Sequence, residues 1–266
     1  MEIIRIPGIL TETSKRYIYK GRSIGFVPTM GGLHDGHISL IKRAKDENDI
    51  VVVSIFINPI QFGPKEDFDR YPRNFESDIE KLRKEDIDIL FMPDTKDMYP
   101  EDFSTYIEVK EISDKLCGKF RQGHFVGVAT VVCKLFNIVM PTRAYFGQKD
   151  YQQTLVIKRM VKDLNFDVDI IICPTVREHD GVAMSTRNCY LNPNERKAAS
   201  IIYKTLVSSS NLIKSGEINP SDVSKYMIDN LVKEPLITEI QYAGIYDPET
   251  LDPINEYKKS NLLAIA

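Results

Sequence analysis

Between residues 23 and 173, short apolar runs alternate with stretches whose apolar residues fall at helical spacing, and few architectures accept that alternation. Residues 23–27 (SIGFV) read as a buried strand. Residues 50–57 are β-branched and flanked by polar side chains, the pattern of a strand buried on both faces. Residues 87–92, 143–147 and 167–173 read as further strands. Between them lie helical patterns: one opening at His37 with Ile38, Ile41 and Ala44 on one face, one over 74–85 carrying Phe75, Ile79 and Leu82, a largely buried one over 125–139, and one over 151–164. Strands separated by helices of this length imply parallel pairing through right-handed crossovers. Ligands of such sheets bind beyond the carboxyl ends of the strands. The segments that follow the strands are therefore the places to look for chemistry.

After about residue 175 the texture changes. Asn192-Pro193-Asn194-Glu195 combines an N-cap, a first-turn proline and a capping-box glutamate, and predicts a helix to about Ser209. Asn219-Pro220-Ser221-Asp222 repeats the signature, and residues 239–246 and 261–266 are strand-like. The expected architecture is α/β: a Rossmann-like parallel sheet domain over residues 1–175, with a smaller α+β domain over 176–266 packed over it. At 266 residues the chain has room for two such domains.

Composition narrows the partners. The net charge is −3, with no block of like charges of the kind that binds nucleic acid. The longest apolar stretch lies within 50–57, too short to span a bilayer. Arg5 and Pro7 interrupt the first ten residues, which make a poor signal peptide. Cys117, Cys133, Cys173 and Cys189 form no CxxC pair, so buried free thiols in a reducing cytoplasm are expected.

Four clusters carry chemistry. The first is FVPTMGGLHDGH, residues 26–37, where a strand, a glycine-rich turn and a helix start place free backbone N–H groups and two imidazoles, His34 and His37, at one positive helix end. That is a site for phosphate; a plain tight turn with surface histidines is the blander reading. The second, FGQKDYQQ, follows the strand at 143–147. Lys149 can reach phosphate oxygens as a flexible point charge, and Asp150 can accept hydrogen bonds from ribose hydroxyls; a solvated Lys–Asp pair is the alternative. The third, PTVREHDGVAMSTRN, puts Ser185, Thr186 and Arg187 in succession as donors for a polyphosphate. As a mobile loop it would bring its arginine to charge developing in a transition state; as a polar linker it would do neither. The fourth, FINPIQFG, follows the strand at 50–57. Gln61, like Gln153 of the second cluster, can orient a small polar substrate without neutralising it, which suits a carboxylate that must attack phosphorus; either glutamine could equally be loop packing.

Together these clusters, with RYPR at 70–73 and the GHF and GV of 123–128, resemble the pantothenate synthetase (pantoate–β-alanine ligase) family of the nucleotidyltransferase superfamily. HDGH looks like the superfamily's HIGH signature, and MSTR looks like its KMSKS counterpart. The motifs occur in family order over most of residues 23–191.

The resemblance implies an ATP-dependent, two-step ligation. Pantoate carboxylate attacks the α-phosphate of ATP, giving pantoyl adenylate and pyrophosphate; the amine of β-alanine then attacks the acyl carbon, giving pantothenate and AMP. On the family pattern Met30, Gly31, Gly32, Leu33, His34, Asp35, Gly36 and His37 contact ATP. Gly147, Gln148, Lys149 and Asp150 do so from the second loop, Val176 meets adenine through its backbone, and Met184, Ser185, Thr186 and Arg187 reach the phosphates. Gln61 and Gln153 hold pantoate and β-alanine, and His37, His34, Lys149 and Arg187 are the catalytic set. The first domain would bind ATP and pantoate, and the second would act as a lid. Magnesium would travel with ATP, with no dedicated metal site on the protein, and the assembly would be a homodimer without nucleic-acid or membrane partners. Protonated imidazoles, Lys149 and Arg187 are the expected source of positive charge at the departing pyrophosphate, with His37 a donor more than a proton shuttle.

The chain departs from the family pattern at Thr186, a serine elsewhere, and at 121–128, where RQGHFVGV replaces RPGHFDGV. Relatives also continue beyond the position where this sequence ends NLLAIA into a basic RLIDN-like tail, whose lack would leave the last strand edge less covered. Two other functions fit the histidines. A phosphopantetheine or nicotinamide-nucleotide adenylyltransferase would show cations where Gln61 and Gln153 stand. A non-catalytic nucleotide-binding regulator on the same fold would not need His34, His37, Lys149 and Arg187 together.

Overall fold

The computed structural model describes residues 1–216 and 218–266. In chain order the helices are α1 (Pro7–Tyr19), α2 (Asp35–Glu47), α3 (Phe75–Lys84), α4 (Thr95–Met98), α5 (Cys117–Phe120), α6 (His124–Val139), α7 (Tyr151–Asp163), α8 (Pro193–Ala198), α9 (Ser200–Ser215) and α10 (Pro220–Leu231). The strands are β1 (Glu2–Ile4), β2 (Ile24–Thr29), β3 (Ile50–Ile55), β4 (Ile89–Phe91), β5 (Arg143–Gly147), β6 (Asp169–Cys173), β7 (Ala243–Tyr246) and β8 (Leu262–Ile265). The chain divides into two compact units. One comprises residues 1–110 and 122–176, the other 111–121 and 177–266. The segment 111–121, which the sequence pattern left with the first domain, belongs to the second unit. There Lys115 holds it by an ion pair to Asp252 (2.6 Å) and a hydrogen bond to the Thr250 carbonyl.

The first unit is the expected parallel sheet, in the order β1-β4-β3-β2-β5-β6. Every residue of β3 is buried, as a central strand covered on both faces must be. β2 pairs with β3 along its whole length, from Ile24↔Ile50 to Thr29↔Ile55. On its other side it pairs with β5 only at Gly25↔Arg143 and Phe26↔Ala144. The chain order runs outward in opposite directions from this pair, so the ladder ends early where the topology reverses. A crevice at the carboxyl ends of β2 and β5 is the consequence.

The first 22 residues, for which the sequence pattern set no element, hold a strand and a helix. Pro7 opens α1, a position where its fixed φ and missing N–H carry no penalty. β1 then forms the sheet edge beside β4. The helix predicted from Asn192 is interrupted at Ala199, where Ile202 N–H bonds back three residues instead of four, and it resumes to Ser215. The predicted strand over 239–246 begins only at Ala243. In the second unit the antiparallel pair β7–β8 shares an apolar cluster with α10, built on Val223, Met227, Leu231 and Ile245. Of the four thiols, Cys173 is buried, Cys117 and Cys133 are half-buried and Cys189 is exposed, so burial does not hold for all four as the composition had implied.

α6 is buried along most of its length, and its first turn rests on the loop after β3. At Gly127 the approach is backbone to backbone: a Cβ there would lie 2.5 Å from the Gln61 Cα and the Ile60 carbonyl oxygen. Neither can withdraw as a flexible side chain could. Gly127→Ala is expected to destabilise the protein by about 1–3 kcal/mol through overpacking. Gly8→Ala, in α1 with open space around it, should be neutral or stabilising by up to about 1 kcal/mol. Urea unfolding of the two variants against the parent checks both.

Candidate active site

Five of the predicted segments follow strand ends of one parallel sheet. Met30–His37 comes after β2, Gln61 after β3, Gly147–Asp150 at the end of β5 with Gln153 in the first turn of α7, and Val176 after β6. All belong to the first unit.

The turn after β2 needs left-handed backbone at Gly31 (φ +86°) and Gly32 (φ +62°), which glycine adopts without penalty. Its amides are held from α3. Asp78 is 1% exposed and accepts from Gly32 N–H and Leu33 N–H, both at 2.8 Å. Lys81, one turn further on, donates to the Leu33 carbonyl at 2.6 Å. Thr29 Oγ1 accepts from Gly31 N–H and donates to the Ser54 carbonyl. None of these three residues stood among the predicted site residues. Asp78 had a visible signal: it falls on the apolar face of α3, where an acid needs a buried partner, while Phe75 on that face stays exposed.

α2 begins with a reciprocal histidine cap. His34 Nδ1 accepts from Gly36 N–H (3.1 Å), and His37 Nδ1 accepts from His34 N–H (3.3 Å). The ring centroids are 4.1 Å apart. An imidazole whose Nδ1 accepts carries its proton on Nε2. Each ring is thus a neutral Nε2–H donor in a fixed tautomer. Electrostatics agree. Burial is the largest cause holding the His37 pKa down at about 3, reinforced by His34, Lys149 and Lys81 and opposed by Asp150. His34 is lowered as well, first by burial and then by Lys149. Both shifts run against the expected protonated imidazoles and favour neutral Nε2–H donors, with Lys81 and Lys149 the cations beside them. Because β2 and β5 are neighbours in the sheet, the loops that follow them open at the same edge. Lys149 pairs with Asp150 at 3.2 Å, and both are exposed.

After β3, the short 3-10 turn Pro59–Gln61 buries Gln61 to 8% exposure. Its Nε2 donates to Met30 Sδ at 3.0 Å, joining this turn to the one after β2. Its Oε1 accepts from Asn58 Nδ2 at 3.0 Å. His124, at the start of α6, places Nδ1 2.8 Å from the Gln61 carbonyl. Gln153 is half-buried in the first turn of α7, beside the more deeply buried Gln152.

The MSTRN segment lies in the second unit. Arg177↔Ala183 bridging and a Glu178 N–H to Val182 carbonyl bond (2.8 Å) make a hairpin that turns at Gly181. Arg196 from α8 takes Asp180 with both guanidinium nitrogens (2.7 and 3.0 Å) and Glu178 at 2.8 Å. It holds both carboxyls below their usual range. Asn188 donates to Glu178 and to the Ala183 carbonyl, and Ser185 Oγ caps the 3-10 turn Thr186–Tyr190 by accepting from Arg187 N–H. Met184, Ser185, Thr186 and Arg187 thus sit on a braced turn. Arg196 escaped sequence reading because it lies beyond the motif.

A family model described as pantoate–β-alanine ligase matches residues 2–266. A pantothenate synthetase of Thermodesulfovibrio yellowstonii is 62% identical over 266 residues, covering 100% of this chain and 95% of that one. One from Caldicellulosiruptor saccharolyticus is 55% identical, covering 97% of this chain and 91% of its own. The crystal structure of pantothenate synthetase from Thermus thermophilus superposes with a TM-score of 0.93 at 42% identity, over 100% of this chain and 95% of that one. A pantoate–β-alanine ligase from Francisella tularensis, solved with β,γ-ATP and β-alanine, gives a TM-score of 0.75 at 42% identity over 86% of each chain.

Two outcomes test this geometry. The unfolded chain binds protons at histidine near pH 6.5, whereas folded His37 does so only near pH 3. Its contribution to stability is complete above pH 6.5 and is lost progressively as pH falls toward 3; unfolding free energies across that range should flatten in His37→Asn. Asp78→Asn turns one acceptor into a donor facing an N–H and should cost about 1–3 kcal/mol in urea unfolding.

Proposed function

The chain belongs to the pantoate–β-alanine ligase family, and on that premise we propose that it joins pantoate to β-alanine in two ATP-dependent steps, with the crevice at β2 and β5 as its reaction centre. In the first step a pantoate carboxylate oxygen bonds to the α-phosphorus of ATP as the bond from that phosphorus to the bridging oxygen breaks, and pyrophosphate leaves. In the second, the β-alanine nitrogen bonds to the acyl carbon, AMP departs with the former carboxylate oxygen, and the amine loses a proton. No covalent enzyme intermediate is needed, because aligned substrates react directly and alignment alone is worth several kcal/mol.

The observation carrying this reading is the histidine-capped start of α2 after β2, with the Lys149 loop at the end of the neighbouring β5, at the topological switch point of a parallel sheet. Neutral Nε2–H donors beside two lysines suit a polyphosphate, whose charge they meet without first competing for a proton. In this reading the Met30–His37 turn and Gly147–Asp150 hold ATP, with Lys149 on phosphate, Asp150 on ribose and Val176 at adenine. Met184, Ser185, Thr186 and Arg187 are assigned to phosphate on the chemistry of their turn. Gln61 and Gln153 take pantoate. An amide suits a nucleophilic carboxylate better than arginine, which would hold it but blunt its attack. Magnesium would enter on the phosphates of ATP; among the described residues no group of three His, Cys, Asp or Glu side chains could hold a metal. Among those residues, too, no helix is long and apolar enough to cross a membrane. A homodimer in the cytoplasm completes the proposal.

The test is pyrophosphate release. ATP and pantoate alone should yield about one equivalent per site, and β-alanine should convert this to turnover with AMP. Release with other hydroxy acids but not pantoate would overturn the substrate assignment. His37→Asn keeps an acceptor for His34 N–H but loses the Nε2 donor. It should slow adenylate formation about 10²-fold while pantoate KM moves less than about twofold.

A further inference from the structure

Gln61 is one end of a hydrogen-bond chain whose polarity is fixed from the other. The Gly127 carbonyl can only accept, and it takes a hydrogen bond from Asn58 Nδ2 at 3.1 Å. That contact orients the Asn58 amide, which is 1% exposed. The second Nδ2 hydrogen then meets Gln61 Oε1 at 3.0 Å, and Asn58 Oδ1 must accept. Its donor is the Tyr99 hydroxyl at 2.7 Å. With Oε1 committed to Asn58, Gln61 turns its NH2 the other way, toward Met30 Sδ. A thioether is a weak acceptor, so this buried NH2 is poorly satisfied until a better oxygen arrives.

We propose that Tyr99 is a positioning residue for the acid substrate: through Asn58 it locks the Gln61 amide with its NH2 presented outward, so that Gln61 grips pantoate as a hydrogen-bond donor. The inference rests on the reading of Gln61 as a pantoate residue. Without the Tyr99 hydroxyl, Asn58 Oδ1 is buried without a donor. A flip would set Oδ1 against the Gly127 carbonyl and Gln61 Oε1, so the amide instead shifts within its site, which slackens its Nδ2 bond to Gln61 and with it the hold on the Gln61 orientation. Burial holds the Tyr99 hydroxyl protonated far above neutral pH, so it remains a donor throughout the working range. The ring is seated independently of the hydroxyl, edge-on to Phe103 at 4.9 Å and near Phe56 at 6.0 Å, with the Lys134 ammonium 5.8 Å from its centroid. Tyr99→Phe therefore removes one interaction and leaves the packing.

The experiment is a double-mutant cycle on steady-state kinetics with Tyr99→Phe, Gln61→Ala and the pair. Phe103→Leu serves as a packing control, and melting temperatures are taken for each. Tyr99→Phe should raise pantoate KM about tenfold, change kcat less than twofold, and leave the KM values for ATP and β-alanine in place. In the Gln61→Ala background the same substitution should have no further effect on pantoate KM, which a general loss of structure would not reproduce. Should Gln61→Ala raise pantoate KM while Tyr99→Phe leaves it within twofold, the positioning role is overturned and the pantoate reading stands. An equal effect of Tyr99→Phe in both backgrounds, or of Phe103→Leu, also overturns the role. Should Gln61→Ala itself leave pantoate KM unchanged, the pantoate reading falls and the inference with it.

Discussion

The site depends on an early parting of two strands. β2 and β5 are neighbours in the sheet, yet they pair only at Gly25↔Arg143 and Phe26↔Ala144. Beyond that point each strand runs on without the other, and the chain leaves each in a glycine-containing turn that opens a helix. Had the ladder continued to Thr29 and Gly147, main-chain hydrogen bonds would fill the space in which the proposed function places a nucleotide. The functional loops are thus positioned by what the sheet omits as much as by what it builds.

Within that opening, neutral groups are held by charged ones. Asp78 spends both carboxylate oxygens on the amides of Gly32 and Leu33, and the histidines spend their Nδ1 lone pairs on the start of α2. Burial first, and then the cations that remain, Lys81 and Lys149, lower the proton affinity of the imidazoles beside them. Donors and charge are therefore divided between different side chains. In the proposed complex a phosphate oxygen would meet fixed Nε2–H groups and these ammonium groups together, and the order created on folding would not have to be created again on binding.

What the sequence disclosed and what it withheld divide along range. The sheet, its parallel connection and the strand-end location of Met30–His37, Gln61 and Gly147–Asp150 were legible because each is written in local spacing. The partners that hold those residues were not: Asp78 is 46 positions from Gly32, Tyr99 is 41 from Asn58, and Gly127 is 69 from Asn58. Such contacts leave no periodic trace. Only Asp78 broke a local rule, as an acid on an apolar helix face. The protonation of the histidines was misjudged for the same reason, since burial and Lys149 act on them through space. α1 raised no expectation, since a proline at its first position reads in isolation as a break as readily as a start.

The contact at Gly127 bears on how such a protein can change. The turn carrying Gln61 lies against bare main chain of α6, not against side chains that substitution could trim or enlarge. Ordinary point mutation cannot deepen the protein on that side. With the acid placed at Gln61 as proposed, room for a bulkier one would have to come from side-chain walls such as Met30, and the helix beneath stays a fixed datum from which every variant is measured.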